Sequence, residues 1–204
     1  MRLIDGINTV LEALGEARTV DINSSNPSVG LARAAIDRTK RGVLATGWWF
    51  NTIYRSAKPV PLPGFINVPW DQLSIYGEDL HERWHDRQTT QGFHHRQYKK
   101  KYGERDGVLY DLVEQTKIFE HEVHLKIIIN MDFEDLPEYT AMQVAYAAAA
   151  EVYLNDLGGD ANYQQLMQKA QHYQEMNYRE HLRNQQYSSS RNSAANRIRR
   201  GLRM

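Results

Sequence analysis

The sequence predicts an α+β fold: a helical bundle with an inserted β-rich region and an extended C-terminal arm. Three observations carry the prediction. Apolar residues recur at helical spacing near the start of the chain and again after Pro137. From Gly47 to about Met131 the pattern changes to short alternating runs broken by turn residues. From Gln185 the chain reads QQYSSSRNSAANRIRRGLRM, Ser-rich and basic with no acidic residue. Such a composition cannot bury enough apolar surface to offset its ordering entropy, so the arm is expected to be disordered when free.

The first helix places Leu3, Ile4, Ile7, Val10, Leu11 and Leu14 on one stripe and stops at Gly15. So short a helix is marginal alone and must pack on something. A polar connection over 20–26 follows. Pro27 then opens a second helix at the position where its missing N–H costs least. Val29, Ala32, Ile36, Thr39 and Val43 form its narrow apolar stripe. Arg33, Asp37, Arg38, Lys40 and Arg41 cover much of the rest and are read as a solvated face.

The run Gly47-Trp48-Trp49-Phe50-Asn51 is read as strand, with Trp48 and Phe50 on one face and Trp49 and Asn51 on the other. A core aromatic cluster at a helix–sheet junction explains it better than a sugar-binding platform. Pro59, Pro61, Pro63 and Pro69 divide the next segment into turns and edge fragments, among them Ile66, Val68, Leu73 and Ile75. Residues 78–105 are the least regular, mixing histidines and cations with Trp84, Phe93, Tyr98 and Tyr102. Glu104-Arg105-Asp106-Gly107 signals a turn into the strand Val108-Leu109-Tyr110. Val123, Leu125, Ile127 and Ile129 alternate as a half-buried strand does.

The stretch 119–157 is the organising centre of the chain. Its strand leads into a helix for which Asp135 is the expected cap, Glu138 the capping-box partner and Pro137 a tolerated first-turn residue. The helix carries an alanine run over 147–150 and ends at Gly158-Gly159. Met142, Ala145, Tyr146, Ala149, Val152 and Tyr153 make one broad apolar face, and the alanines allow close approach, so it is read as the central helix of a bundle, within one chain or between chains. A further helix begins near Asp160, with Tyr163, Leu166, Met167, Ala170, Tyr173 and Asn177 on one side. That stripe is semi-apolar and suits an interface better than a core. Met142, Tyr146, Tyr153, Tyr163, Met167 and Tyr173 are the candidate subunit–subunit side chains.

Composition narrows the function. At 204 residues the chain can bury a core as one domain, or as one domain with an insertion. Lys and Arg together number 25, as do Asp and Glu, so the formal net charge is zero. That argues against bulk coating of nucleic acid and leaves local patches open. There is no cysteine, which excludes disulfides and thiolate zinc sites. The N-terminal MRLIDGINTVLEALGE has no long apolar core and is not read as a signal peptide. The most apolar run, 145–154, is interrupted by Glu151 and is too short to span a bilayer, so no membrane is expected.

Several constellations have residue types that can carry chemistry. His81, His85, His94 and His95 have spacing compatible with a metal, but solvated histidines in a charged loop explain them better. His121 and His124 lack the HExxH spacing and would point to opposite faces of a strand. Asp132, Glu134, Asp135 and Glu138 form an acidic junction that helix capping already explains in part. A glycosidase would need two such carboxylates at a set separation across a cleft. The basic and aromatic side chains over 84–105 could hold nucleic acid, though interspersed Glu82, Asp86, Glu104 and Asp106 favour a protein contact. The C-terminal arm, with Ile198 and Leu202 among its arginines, is either a short amphipathic anchor or a solubility feature. No cofactor is expected, and no GxSxG, P-loop or GxGxxG pattern is present.

Four motifs then occur in one order: INTVLEALGE at 7–16, GWWFN at 47–51, GVLYD at 107–111 and DFEDLPE at 132–138 before an alanine-rich helix. Together they resemble the tail tubular protein A family of short-tailed phages. The resemblance implies a structural virion protein in the tail neck below the portal, not an enzyme: a head-to-tail adaptor that forms a homo-oligomeric ring, a dodecamer. It implies a bundle from 1–46 and 132–185, a β-rich insertion at 47–131 and the arm at 186–204. The implied partners are the portal protein, the nozzle protein (tail tubular protein B), the tail fibre and, in passing, genomic DNA. The arm would dock on the portal through Arg191, Arg197, Ile198, Arg199, Arg200, Leu202 and Arg203. The loop with Trp84, His94, His95, Lys99 and Lys101 would face the nozzle and fibre. The alternative is a virion-associated hydrolase of polysaccharide or peptidoglycan.

Overall fold

The computed structural model describes residues 1–78, 98–99 and 101–184. The chain divides into two compact units, and the first is built from Met1–Lys40 together with the chain from Phe133 onward. The second is the continuous stretch Arg41–Asp132. The division falls inside a single helix.

The helical unit holds α1 (Leu3–Ala13), most of α2 (Pro27–Leu44), a 3-10 turn (Phe133–Asp135), α3 (Glu138–Asp156) and α4 (Ala161–Asn184). α3 lies at its centre, with α1 and α4 packed against it. Ala141, Val144, Ala145, Ala148, Ala149, Ala150 and Val152 are all buried, so this helix is covered on nearly every side. The expected central helix is therefore present, but its apolar surface is a full wrap and not one broad face. α1 buries Ile7, Val10 and Leu11 as its spacing requires. Gly6 admits the Phe133 ring: a Cβ there would sit 2.9 Å from Phe133 Cζ.

α2 starts where expected, with Asn26 Oδ1 accepting the Ser28 N–H at 3.0 Å. In this unit it buries Val29, Ala32, Ala35 and Ile36. Arg38 lies on the solvated face and pairs with Glu151 at 2.6 Å. Lys40 does not belong to that face. It is 7% exposed, with its ammonium 3.2 Å from Asp37 Oδ1. It follows Ile36 by one helical turn, which puts its aliphatic stem on the packed side and its charge beside a carboxylate.

The start of α3 also departs from expectation. Pro137 is the cap residue, and no side chain caps the helix. Asp135 falls in the 3-10 turn because burial of Phe133 and Leu136 fixes the chain direction there. The acids beside it serve the other end of the unit. Glu134 Oε1 accepts the Leu3 N–H at 3.2 Å, and Glu138 Oε2 holds the Met1 ammonium at 2.9 Å.

Between α3 and α4 lies a buried polar ladder. Thr140 Oγ1 donates to Asn177 Oδ1 at 3.0 Å, and Asn177 Nδ2 donates to Gln143 Oε1 at 3.3 Å. An amide inside an apolar seam fixes register, since any slip leaves polar groups without partners. Asn177→Leu is expected to cost about 2 kcal/mol by stranding Thr140 and Gln143. Urea denaturation checks this, and a loss below about 0.5 kcal/mol would show that the ladder contributes little.

The β-rich unit contains β1 (Thr52–Ala57), β2 (Gln72–Glu78), β3 (Tyr98–Lys99), β4 (Tyr102–Arg105), β5 (Val108–Asp111) and β6 (Val123–Ile129). One antiparallel sheet has the order β1-β6-β2-β3, and β4 pairs with β5 in a second. The hairpin between β4 and β5 turns at Asp106 and Gly107, whose φ values of 58° and 77° both lie in the left-handed region. That is the geometry a tight hairpin turn requires. Leu125 and Ile127 of β6 pack with Ala57, Ile66, Ile75 and Leu109. Ile128, on the opposite face of β6, is buried as well because Gly47 lies against it.

The segment 47–51 is a turn and not the expected strand. Trp48 is buried, with its indole N–H donating to the Val43 carbonyl at 2.7 Å. Trp49 and Phe50 meet edge to face at 5.7 Å. Asn51 is 0% exposed. Its Oδ1 accepts the Trp48 N–H at 2.7 Å. Its Nδ2 donates to the Leu44 carbonyl at 3.0 Å and to the Ile129 carbonyl at 2.9 Å. A side chain that satisfies three backbone groups overrides the strand preference of its aromatic neighbours.

Candidate assembly interface

Of the six side chains expected at subunit contacts, Tyr146 and Tyr173 are brought together. Their rings stack with centroids 5.6 Å apart, and Lys169 Nζ lies 5.1 Å over the Tyr146 ring. α3 and α4 therefore share an aromatic step with a cation on it, worth about 1 kcal/mol beyond its buried area. Met142, Tyr163 and Met167 are half-buried on the same two helices.

Tyr153 is used differently. It is buried inside the helical unit. Its hydroxyl donates to Asp160 Oδ2 at 2.7 Å and accepts from Asn162 Nδ2 at 3.2 Å. Asp160 also accepts the Asn162 and Tyr163 N–H groups, which caps α4. The tyrosine closes the turn between α3 and α4 instead of offering a contact outside.

The Tyr153 hydroxyl, followed by the backbone N–H of Tyr163, holds the Asp160 carboxyl below its ordinary pKa. The folded state thus binds this proton less readily than the unfolded chain. The resulting stabilisation is complete above the ordinary carboxylate value of about 3.9 and is lost as pH falls below it through the depressed folded pKa. Asp160→Asn is expected to flatten the fall in melting temperature between pH 5 and pH 2. An unchanged acid profile would assign that fall to other carboxyls.

Trp84, His94, His95 and the arm residues Arg191, Arg197, Ile198, Arg199, Arg200, Leu202 and Arg203 lie outside the described residues. Lys99 is described only as backbone in β3. Lys101 is half-buried, and its carbonyl accepts the Leu112 N–H at 2.8 Å. The histidines at 81, 85, 94 and 95 also lie outside the described residues. Among the described residues no group of three or more His, Asp or Glu could hold a metal. Nor is any helix among them long and apolar enough to cross a membrane.

The β-rich unit presents apolar side chains that periodicity did not single out. Trp70 is 95% exposed and Leu62 89%. Val113 and Ile118 are exposed as well. Ile118 packs beside Gly64 in the turn that carries Leu62. Leu62, Trp70 and Val113 stand in turns and Ile118 in an irregular stretch, where no alternation points a side chain inward. The available signal was composition: a Leu between Pro61 and Pro63, and a Trp between Pro69 and Asp71. Exposed apolar side chains on rigid turns are characteristic of protein contact surfaces.

Comparison with known proteins follows the same line. The sequence pattern of the tail tubular protein family matches residues 4–187. The tail tubular protein A of Klebsiella phage KP34 is 52% identical over 202 residues, covering 98% of this chain and 97% of the relative. Matched along almost its whole length, the chain belongs to the tail tubular protein A family and is a structural component of a phage tail.

Proposed function

We propose that the chain is the subunit of a head-to-tail adaptor ring, a dodecamer that joins the portal to the tail nozzle and forms part of the DNA exit channel. The observation that carries this reading is the near full-length match to a tail tubular protein A. The surfaces support it: half-buried aromatic and Met side chains on α3 and α4, and exposed Trp70 and Leu62 on the β-rich unit, suit contact with other proteins. Met142, Tyr146, Tyr163, Met167 and Tyr173 meet the neighbouring subunit. The β-rich unit and the loop bearing Trp84, His94, His95, Lys99 and Lys101 face the nozzle and fibre. The arm docks on the portal.

A ring requires two different patches on each subunit, each matching the other's neighbour. Zero net charge suits a channel wall that DNA must leave without being held. Electron microscopy of the chain mixed with portal rings tests the reading. A closed ring capping the lower opening of the portal is expected. Portals left bare at micromolar chain concentration would sink it.

A further inference from the structure

β1 stands at one end of the sheet order β1-β6-β2-β3. Four of its consecutive residues, Ile53 to Ser56, are exposed. Soluble proteins usually guard such an edge with proline, a bulge, a lysine or a covering element. β1 reads TIYRSA and pairs with β6 residue for residue, with no bulge. Its single charge is turned aside, since the Arg55 guanidinium donates to the Asn67 carbonyl at 2.7 Å.

The hydrogen-bond phase says which groups look outward. The Ile129 N–H donates to the Asn51 carbonyl at 3.0 Å. In two-residue steps this makes Ile53–Ile127, Arg55–Leu125 and Ala57–Val123 the bonded pairs of the ladder. The N–H and C=O of Ser56 therefore point away from β6, toward the open side.

Strand direction selects the occupant. Every neighbour in this sheet is antiparallel, and the strands number four. Among the described strands the two edges, β1 and β3, consequently run in opposite directions. Set β1 of one copy beside the β3 edge of the next, related by rotation alone, and the junction is antiparallel without inverting either copy. The step then repeats, as a closed ring requires. Pairing β1 with β1 would also be antiparallel but ends at two copies.

We propose that the outer edge of β1 receives the β3 edge of a second copy, so that one antiparallel sheet runs from subunit to subunit. The inference rests on the ring reading above and adds the contact that sets its register. Each copy would advance the sheet by four strands, about 19 Å. A contact between the six residues of β1 and the two of β3 falls well short of the roughly 800 Å² per partner of a stable interface. It orders the neighbours while the side chains of α3 and α4 supply area.

Hydrogen exchange with residue-level fragmentation tests this on the full chain, free and assembled. In the free subunit the Ser56 amide should exchange quickly while Ile53 and Arg55 are protected. In the ring Ser56 should slow by at least about 100-fold. Ser56→Pro removes only an outward N–H, a change that edge strands tolerate, and should fold yet fail to close rings. Ser56→Ala, which loses the hydroxyl 2.5 Å from His124 Nδ1 but keeps the amide, should assemble. Rings with an unprotected Ser56 amide overturn the inference and leave the adaptor reading standing. Protection that appears only on adding a different tail protein overturns the choice of a second copy. Failure of the unaltered chain to form any ring overturns both. Should Ser56→Pro not fold, exchange in the unaltered chain still decides.

Discussion

Replacing Asn51 with leucine is expected to remove a large part of the stability of the β-rich unit. The Asn51 side chain is 0% exposed and contacts three backbone groups: the Trp48 N–H, the Leu44 carbonyl and the Ile129 carbonyl. A leucine of similar size satisfies none of them. The Leu44 carbonyl keeps the Gly47 N–H at 3.0 Å, so two buried backbone groups lose their partner at about 1–3 kcal/mol each, a sum of about 2–6 kcal/mol. A domain of this size has only about 5–15 kcal/mol in total. Asn51→Asp separates the components: it can still accept from Trp48 but turns a carboxylate toward two carbonyl oxygens, and it should be at least as damaging at neutral pH. Urea unfolding followed by tryptophan fluorescence reads both, because Trp48 and Trp49 adjoin the site. A loss under about 1 kcal/mol for Asn51→Leu would mean that water or a shifted backbone replaces the amide.

Deleting residues 188–204 is expected to abolish capture of the portal while leaving the fold untouched. The segment carries Arg191, Arg197, Arg199, Arg200 and Arg203 around Ile198 and Leu202, with no acid. Arginines bind carboxylates in paired, planar contacts, and the two aliphatic residues add anchors that salt does not screen. Holding any chain segment in one docked conformation costs conformational entropy, so affinity depends on making many contacts together. The truncated chain should keep its urea midpoint, with unfolding free energy within about 0.5 kcal/mol of the full chain. Its pull-down by immobilised portal should fall to background at physiological salt. Undiminished pull-down would move the docking surface elsewhere on the subunit.

Much of this fold could be read from the chain because single elements obeyed single rules. α1 and β6 show it best: Ile7, Val10 and Leu11 recur at helical spacing, and Leu125 and Ile127 at strand spacing, and all five are buried. Readings failed where a distant contact outweighed a local preference. Asn51 looked like one residue of an aromatic strand until its amide met backbone from α2 and β6. Asp135 had the spacing of a cap, but burial of Phe133 and Leu136 placed it in the turn before the helix. Lys40 looked solvated because its pairing with Asp37 depends on a packed face that charge patterning does not reveal. Among the contact residues, stacking of Tyr146 on Tyr173 follows from two stripes meeting. Retention of Tyr153 inside the subunit depends on where the following turn brings Asp160.

The division of the chain also orders events during synthesis. The β-rich unit is continuous, Arg41–Asp132, and leaves the ribosome complete before α3 and α4 exist. The helical unit needs Met1–Lys40 and the chain after Phe133, so α1 must wait for partners made more than a hundred residues later. Units of this size fold as they emerge. The helices bearing Tyr146 and Tyr173 are thus the last to mature, and the helical surface is finished only after α4 has left the ribosome.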